Sequence, residues 1–301
     1  MALNYHPEIE DVKPGRPQLK HVQGVAFPDW VADNWQQVQQ FQAKPGDLLI
    51  ATYPKAGTTW IQQIVDLINC NGDVEMCNRA PIHHRIPFLE FFAYGSSGLE
   101  RIEKLSSPRM IKTHLPIQLI PKSVWEQDCK VITVARNAKD NLVSYFHFHR
   151  MDRVMPEPGG WQEFLQMFKD GQVAWGSWYD YVKGWWEAKE KHRILFLFYE
   201  DLKENPRREI LKVAKFMEKV LEEDVVEKIV HLSSFSAMKD NPMANYSTVP
   251  LTVMDQTISR FMRKGEVGDW KNHFTIAQNE AFVEHYEREM AESSLKFREV
   301  L

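Results

Sequence analysis

The segment that most constrains this chain is 47–68. An apolar run, Asp47-Leu-Leu-Ile-Ala51, leads into Thr52-Tyr-Pro-Lys-Ala-Gly-Thr-Thr-Trp60 and then into the helical pattern Ile61-Gln-Gln-Ile-Val-Asp-Leu-Ile68. This reads as strand, tight loop and helix. A helix N-terminus offers unpaired N–H groups at the positive end of the helix dipole. Gly57 lets the backbone approach a ligand closely. Lys55 brings a mobile charge, and Thr58 and Thr59 bring hydroxyls. Together these groups suit a phosphate cradle.

The cradle departs from the triphosphate pattern Gly-x-x-x-x-Gly-Lys-Ser/Thr. Here Lys55 precedes Gly57, and no glycine stands five positions earlier. The logic of anion binding survives, but the nucleoside triphosphate signature does not.

Three further short, apolar runs read as strands buried on both faces: 109–113, 130–135 and 193–199. Helical patterns over 138–150 and 177–191 separate them, which predicts a parallel sheet flanked by helices. A short amphipathic stretch near 30–41 lies in an otherwise irregular N-terminal region. After Glu200 the pattern turns mostly helical. Asn205-Pro206 opens one helix through Met217, another runs near 223–231, and Thr275-Ile-Ala-Gln278 reads as a capping box for a last helix to about Met290. No linker divides the 301 residues, so a single α/β domain over 1–301 is expected.

A net charge of −4 argues against a nucleic-acid-binding surface. It does not argue against a small anion, because binding follows local charge. Three cysteines, Cys70, Cys77 and Cys129, fit no zinc spacing, and no metal site is expected. Met1 to Pro17 carries charges and prolines without an apolar core of signal-peptide type. No apolar run approaches the ~20 residues of a membrane span. A soluble, cytoplasmic protein is therefore expected.

Ligands of open parallel sheets bind beyond the carboxyl ends of the strands. The second strand ends in Lys112-Thr113-His114, whose alternation puts Lys112 and His114 on one side. A histidine there suits a general base and a lysine suits developing negative charge; a purely structural histidine is the alternative. The third strand ends at Arg136, and on the following helix Asn141, Ser144, Tyr145 and Phe148 share a face. Arg136 and Ser144 suit one phosphate, although a surface arginine and a filler serine fit the spacing too. Tyr199, at the end of the fourth strand, either reaches a ligand base or only packs. Arg263-Lys264-Gly265 suits a second anion clamp, although a merely solvated basic loop fits these residues too. Most of the aromatic residues between 161 and 186 belong to the core. The residues alone leave open a nucleotide kinase and a non-catalytic nucleotide-binding regulator. A missing Gly-Lys-Ser/Thr motif speaks against the first, and His114 beside Lys112 against the second.

In order along the chain, Thr52–Trp60, Lys112-Thr-His-Leu-Pro116, Val134-Ala-Arg-Asn-Ala-Lys-Asp140, Phe198-Tyr-Glu-Asp201, Arg263-Lys-Gly265 and Gly268–Glu280 together resemble the cytosolic sulfotransferase family. The pattern is similar to the phenol-sulfating branch and compatible with its C subfamily. The resemblance implies a five-stranded parallel sheet and a P-loop-like phosphosulfate-binding loop. It implies the donor 3′-phosphoadenosine 5′-phosphosulfate without a metal, and a small, mostly phenolic hydroxyl or amine acceptor. By matching positions, Lys55, Ala56, Gly57, Thr58, Thr59 and Trp60 would hold the 5′ end, with Trp60 against the adenine. Arg136, Ser144, Arg263, Lys264 and Gly265, beside Phe261 and Met262, would hold the 3′-phosphate. Tyr199, Ser233, Phe235 and Met238 would frame the adenine. His114 would be the catalytic base, with Lys55 and Lys112 stabilising charge. The acceptor pocket would be lined by Phe27, Phe88, Lys112, His114, Phe148, Trp175, Tyr246, Val253 and Met254. Ser233 stands where many relatives have threonine. Lys271, Thr275, Ile276 and Glu280 match the family's dimer motif with isoleucine for valine, so a homodimer is expected.

Overall fold

The computed structural model describes residues 15–301. Most of the segment Met1–Pro17 lies outside them. Four strands build the central sheet: β3 (Leu48–Ala51), β6 (Met110–Thr113), β7 (Lys130–Ala135) and β8 (Ile194–Phe198). Two antiparallel hairpins stand apart from it, β1–β2 (Leu19–Val22 and Val25–Pro28) and β4–β5 (Phe92–Ala93 and Ser96–Ser97).

The sheet is parallel throughout, in the order β6-β3-β7-β8. β3 is buried along its whole length and β7 along all but Lys130, as helices on both faces require. The four runs identified in the sequence are these four strands, with shifts at their ends: Asp47, Arg109 and Arg193 stand just before theirs, and Tyr199 leaves the sheet and opens the helix Tyr199–Glu204. A fifth strand is not present among the described residues. Beyond β6 the sheet continues only as a single parallel bridge, Phe88 to Lys112. There Pro87 O accepts from Lys112 N at 2.9 Å and Leu89 N donates to Lys112 O at 2.8 Å. Proline has no N–H to carry the ladder further.

The helices form where their patterns and caps predict. Thr58–Asn69 packs Ile61, Ile64, Val65 and Ile68 into the core. Asn137 caps Ala138–Met151 by accepting from Asp140 N, and Asn205 caps Pro206–Phe216. Thr275 and Gln278 form the reciprocal capping box of Ile276–Met290. The stretch near 30–41 divides into two short helices, Asp29–Ala32 and Trp35–Gln39. Asp47 closes the amino end of the sheet through a buried ion pair with Arg109. Among the described residues, no helix is long and apolar enough to cross a membrane.

The successors of β3 lie on opposite sides of it: β6 on one, β7 on the other. A parallel sheet that reverses in this way leaves a crevice at its carboxyl edge. The loops after β3, β6, β7 and β8 all end there.

Candidate active site

That crevice is a cavity of about 290 Å³. Its phosphate-type end is built by the loop after β3. Gly57 caps the helix Thr58–Asn69 with a left-handed backbone (φ 108°) and no side chain, leaving the first-turn N–H groups for a ligand. A Cβ at Gly57 would stand 3.0 Å from Cδ2 of Tyr199, so the close approach of loop and ring requires glycine. Lys55 is also left-handed (φ 68°), a conformation seldom held by a non-glycine residue away from functional sites. Thr58 Oγ1 shares a 2.6 Å hydrogen bond with Thr52 Oγ1, which ties the loop to the end of β3.

Lys55 enters an aromatic cage. Its Nζ lies 4.1 Å from the Phe261 ring centre and 4.4 Å from that of Phe148. Burial lowers its pKa to about 7, against the attraction of Asp152. Lys112, over Phe88 at 4.2 Å, is lowered by burial to about 8. An anion entering the cavity would favour the ammonium form of both lysines, whose charges water does not screen there.

His114 follows β6 and is 7% exposed. Its Nδ1 lies 2.6 Å from Thr52 O. A carbonyl can only accept, so Nδ1 carries the hydrogen and Nε2 keeps its lone pair. Burial, with the Lys112 charge next, holds the ring well below the usual histidine range. His114 is thus a neutral imidazole with one basic nitrogen left over.

Beneath it lies Glu90, which the sequence reading did not single out. It accepts from His114 N at 2.6 Å, Thr113 Oγ1 at 2.9 Å and Trp175 Nε1 at 3.1 Å. Burial raises its pKa to about 7. One fully buried carboxyl group therefore holds both the His114 loop and the Trp175 wall.

The basic clamp forms at the other end. Arg136 lies over the Tyr199 ring at 4.3 Å and donates to Glu266 O at 2.8 Å. Arg263 and Lys264 each meet Asp269 at 2.6 Å. Asp140 accepts from Gly268 N at 2.7 Å and Trp270 N at 3.0 Å, anchoring the clamp to the helix that follows Arg136. Ser144, Ser233, Phe235, Met238, Met262 and Gly265 complete this end. Ser233 Oγ donates to Ile229 O at 2.7 Å, so what it offers a ligand is its oxygen. Tyr199 packs and lines at once: it meets Trp60 at 5.4 Å and also faces the cavity.

Phe88, Phe148, Trp175, Tyr246, Val253 and Met254 line the apolar end. Phe27 and Ala56 do not reach the cavity wall. Phe27 stands behind Trp175, edge-on at 6.4 Å, and stacks on Trp35 at 5.8 Å; a fully buried ring in that second layer supports the wall without forming it. Ala56 is also fully buried, and its N–H bonds Tyr53 O at 3.2 Å. The shared face expected on the helix 138–151 divides. Ser144 and Phe148 face the cavity, whereas Tyr145 donates to Ala174 O at 2.9 Å in the core and Asn141 Nδ2 to Pro54 O at 2.9 Å.

Other cavity residues missed by the sequence reading include Trp30, His83 and Asp152. Asp152 follows Ser144 and Phe148 at four-residue steps, so helical spacing could have found it. Burial raises its pKa to about 7. Among the described residues, one cluster of metal-ligand type, Asp66, Cys70 and Cys77, brings its ligand atoms within 4.8 Å. Arg79 and Arg85 already pair with that carboxylate.

A family profile described as Sulfotransferase domain matches residues 45–294. The chain is 57% identical over 281 residues to Sulfotransferase 1C2 of Homo sapiens, covering 93% of this chain and 95% of that protein. It is 56% identical to Sulfotransferase 1 family member D1 of Rattus norvegicus, with 94% and 96% covered. The crystal structure of mouse sulfotransferase SULT7A1 complexed with PAP superposes with a TM-score of 0.76 at 30% identity, over 91% of this chain and 95% of that one. With a strand–loop–helix turn, a buried neutral histidine and a cluster of basic side chains in one crevice, and relatives of this identity over most of its length, the chain belongs to the sulfotransferase family.

Proposed function

We propose that this enzyme transfers a sulfuryl group from 3′-phosphoadenosine 5′-phosphosulfate to the hydroxyl, or amine, of a small and mostly phenolic acceptor, with His114 as general base. The observation that carries this reading is the bond from His114 Nδ1 to Thr52 O, which leaves Nε2 basic in the cavity that holds Lys55 and Lys112. Titration of the protein with the donor and a simple phenol, followed by detection of the aryl sulfate, tests it; a protein that binds the nucleotide but forms no sulfate ester would sink it.

The residues fit a donor with phosphate at both ends. The uncapped helix start, Lys55 and the threonines suit the 5′ end, with Trp60 beside them. At the far end, Arg136 and Arg263 each keep a buried Nε without a protein partner, as two guanidiniums awaiting an anion would. Tyr199, Phe235 and Met238 offer flat and soft surfaces for a base between the two. Bound there, the donor supplies an electrophilic sulfuryl group on a phosphate leaving group. The chain's residues do the rest: His114 Nε2 takes the acceptor proton, Lys55 and Lys112 hold positive charge in a dry pocket, and Phe88, Phe148 and Trp175 exclude water. No step requires a metal from this chain.

Lys55 gives a proton-linkage signature. In the free protein its pKa is about 7, so it is largely neutral at pH 8. A bound phosphate favours the ammonium form. Binding of adenosine 3′,5′-bisphosphate should then take up protons above pH 7, and affinity should fall as pH rises further. Calorimetry at pH 8 in buffers of different ionisation enthalpy reads this directly; identical heats in all buffers would count against it.

Val253 sits on the apolar wall, 8% exposed. Val253→Phe should narrow the pocket and cut kcat/KM for bulky phenols on the order of ten-fold, while sparing small ones. An acceptor profile matching the wild type would remove Val253 from the selectivity wall.

The reading extends to one domain over 1–301, a cytoplasmic location and a homodimer through Lys271, Thr275, Ile276 and Glu280. All four residues are at the surface, with Ile276 79% exposed, and an apolar side chain so placed suits a partner. A monomeric mass in light scattering would set the dimer aside.

A further inference from the structure

His83 lines the cavity wall, which also carries Arg101 and Lys112. Its ring stacks on Tyr246 at 5.2 Å and 27°, and touches His84 at 4.5 Å. Nδ1 is buried with no hydrogen-bond partner. The segment that carries it is held firmly: Ile82 N donates to Met243 O at 2.8 Å, Arg85 Nε to Ala80 O at 2.7 Å, and Arg85 pairs with the buried Asp66. Burial, reinforced by neighbouring His84, Arg101 and Lys112, lowers the His83 pKa to about 3 and keeps the ring neutral. A neutral imidazole carries one donor and one acceptor, and leaving such groups unsatisfied in a buried site is costly. Two rings, Tyr246 and then Phe261, separate His83 from Lys55. A ligand group that meets His83 therefore lies two ring contacts away from the Lys55 ammonium.

We propose that His83 determines acceptor specificity by hydrogen-bonding an uncharged polar group, a carbonyl or a second hydroxyl, that the acceptor carries away from its reacting oxygen. The inference rests on the sulfuryl-transfer reading above. It assigns the enzyme a substrate class narrower than simple phenols: neutral phenols with a distal hydrogen-bonding group. A cationic group is excluded, because Arg101 and Lys112, whose charges reach His83, repel it.

The test compares 4-alkylphenols with ketones of the same chain length bearing the carbonyl on the alkyl arm, in the wild type and in His83→Phe. The phenylalanine keeps a ring against Tyr246 and removes both nitrogens. For at least one chain length, the ketone-to-alkyl ratio of kcat/KM should fall roughly five- to ten-fold in the variant, with the change in KM and not in kcat. A ratio unchanged at every chain length overturns the assignment, as does an equal loss for both members of each pair. Thermal melting and adenosine bisphosphate binding check the fold; if His83→Phe fails them, His83→Leu replaces it with the same two outcomes. A wild type that turns over none of the phenols overturns the sulfuryl-transfer reading itself, a result distinct from an unchanged ratio.

Discussion

His114→Ala should lose on the order of 10²–10⁴-fold in kcat while binding adenosine 3′,5′-bisphosphate as the wild type does. Geometry comes first here and electrostatics second. Thr52 O takes the Nδ1 hydrogen at 2.6 Å and so leaves Nε2 basic. Burial keeps the ring neutral, so the base is ready throughout the neutral range. The donor cradle and the clamp belong to other loops, after β3, after β7 and around 263–265, and removal of the imidazole leaves them in place. Single-turnover measurement with prebound donor checks this; a rate within a few-fold of wild type would take His114 out of the mechanism.

Lys55→Met should be the second large loss, on the order of 10²–10³-fold in kcat, about 3–4 kcal/mol of charge stabilisation. Methionine keeps an unbranched chain between Phe148 and Phe261 and removes only the cation. The signature of a charge role is a split between activity and stability. Burial already lowers the pKa of Lys55 to about 7, which shows that the folded protein bears a cost for the charged form. The variant should then melt higher than the wild type below about pH 10, by a margin that widens down to about pH 7 and stays constant below it. A kcat near wild type, or a loss of activity matched by a collapse in melting temperature, would mean that Lys55 only packs.

Most of the sheet is legible in the sequence, because strands buried on both faces are short continuous apolar runs and the four here are separated by helical periods. The fifth strand is implied by family resemblance alone and is not present among the described residues, where Pro87 ends the ladder after one bridge. The donor cradle is legible because its groups lie within six positions of one another. The acceptor wall is less so. Phe27, expected on that wall, stands one layer behind it. Asp152 carries a helical-spacing signal, but His83 lies in a segment whose path is set by contacts with Met243 and Asp66, well separated from it in the chain. Glu90 has no local signal at all. Its value comes from accepting three hydrogen bonds from His114, Thr113 and Trp175, groups separated from it by up to 85 positions.

The elements, the anion cradle and the base candidate are legible along the chain, because backbone propensity, side-chain period and the spacing of charged groups are local properties. Which nitrogen of His114 is basic, the meeting of Lys55 and Lys112 in one dry cavity, and the choice of aromatic rings that face it all arise from the folded arrangement. Tautomer, pKa and exposure depend on what approaches from distant parts of the chain, and no spacing within a single segment records that.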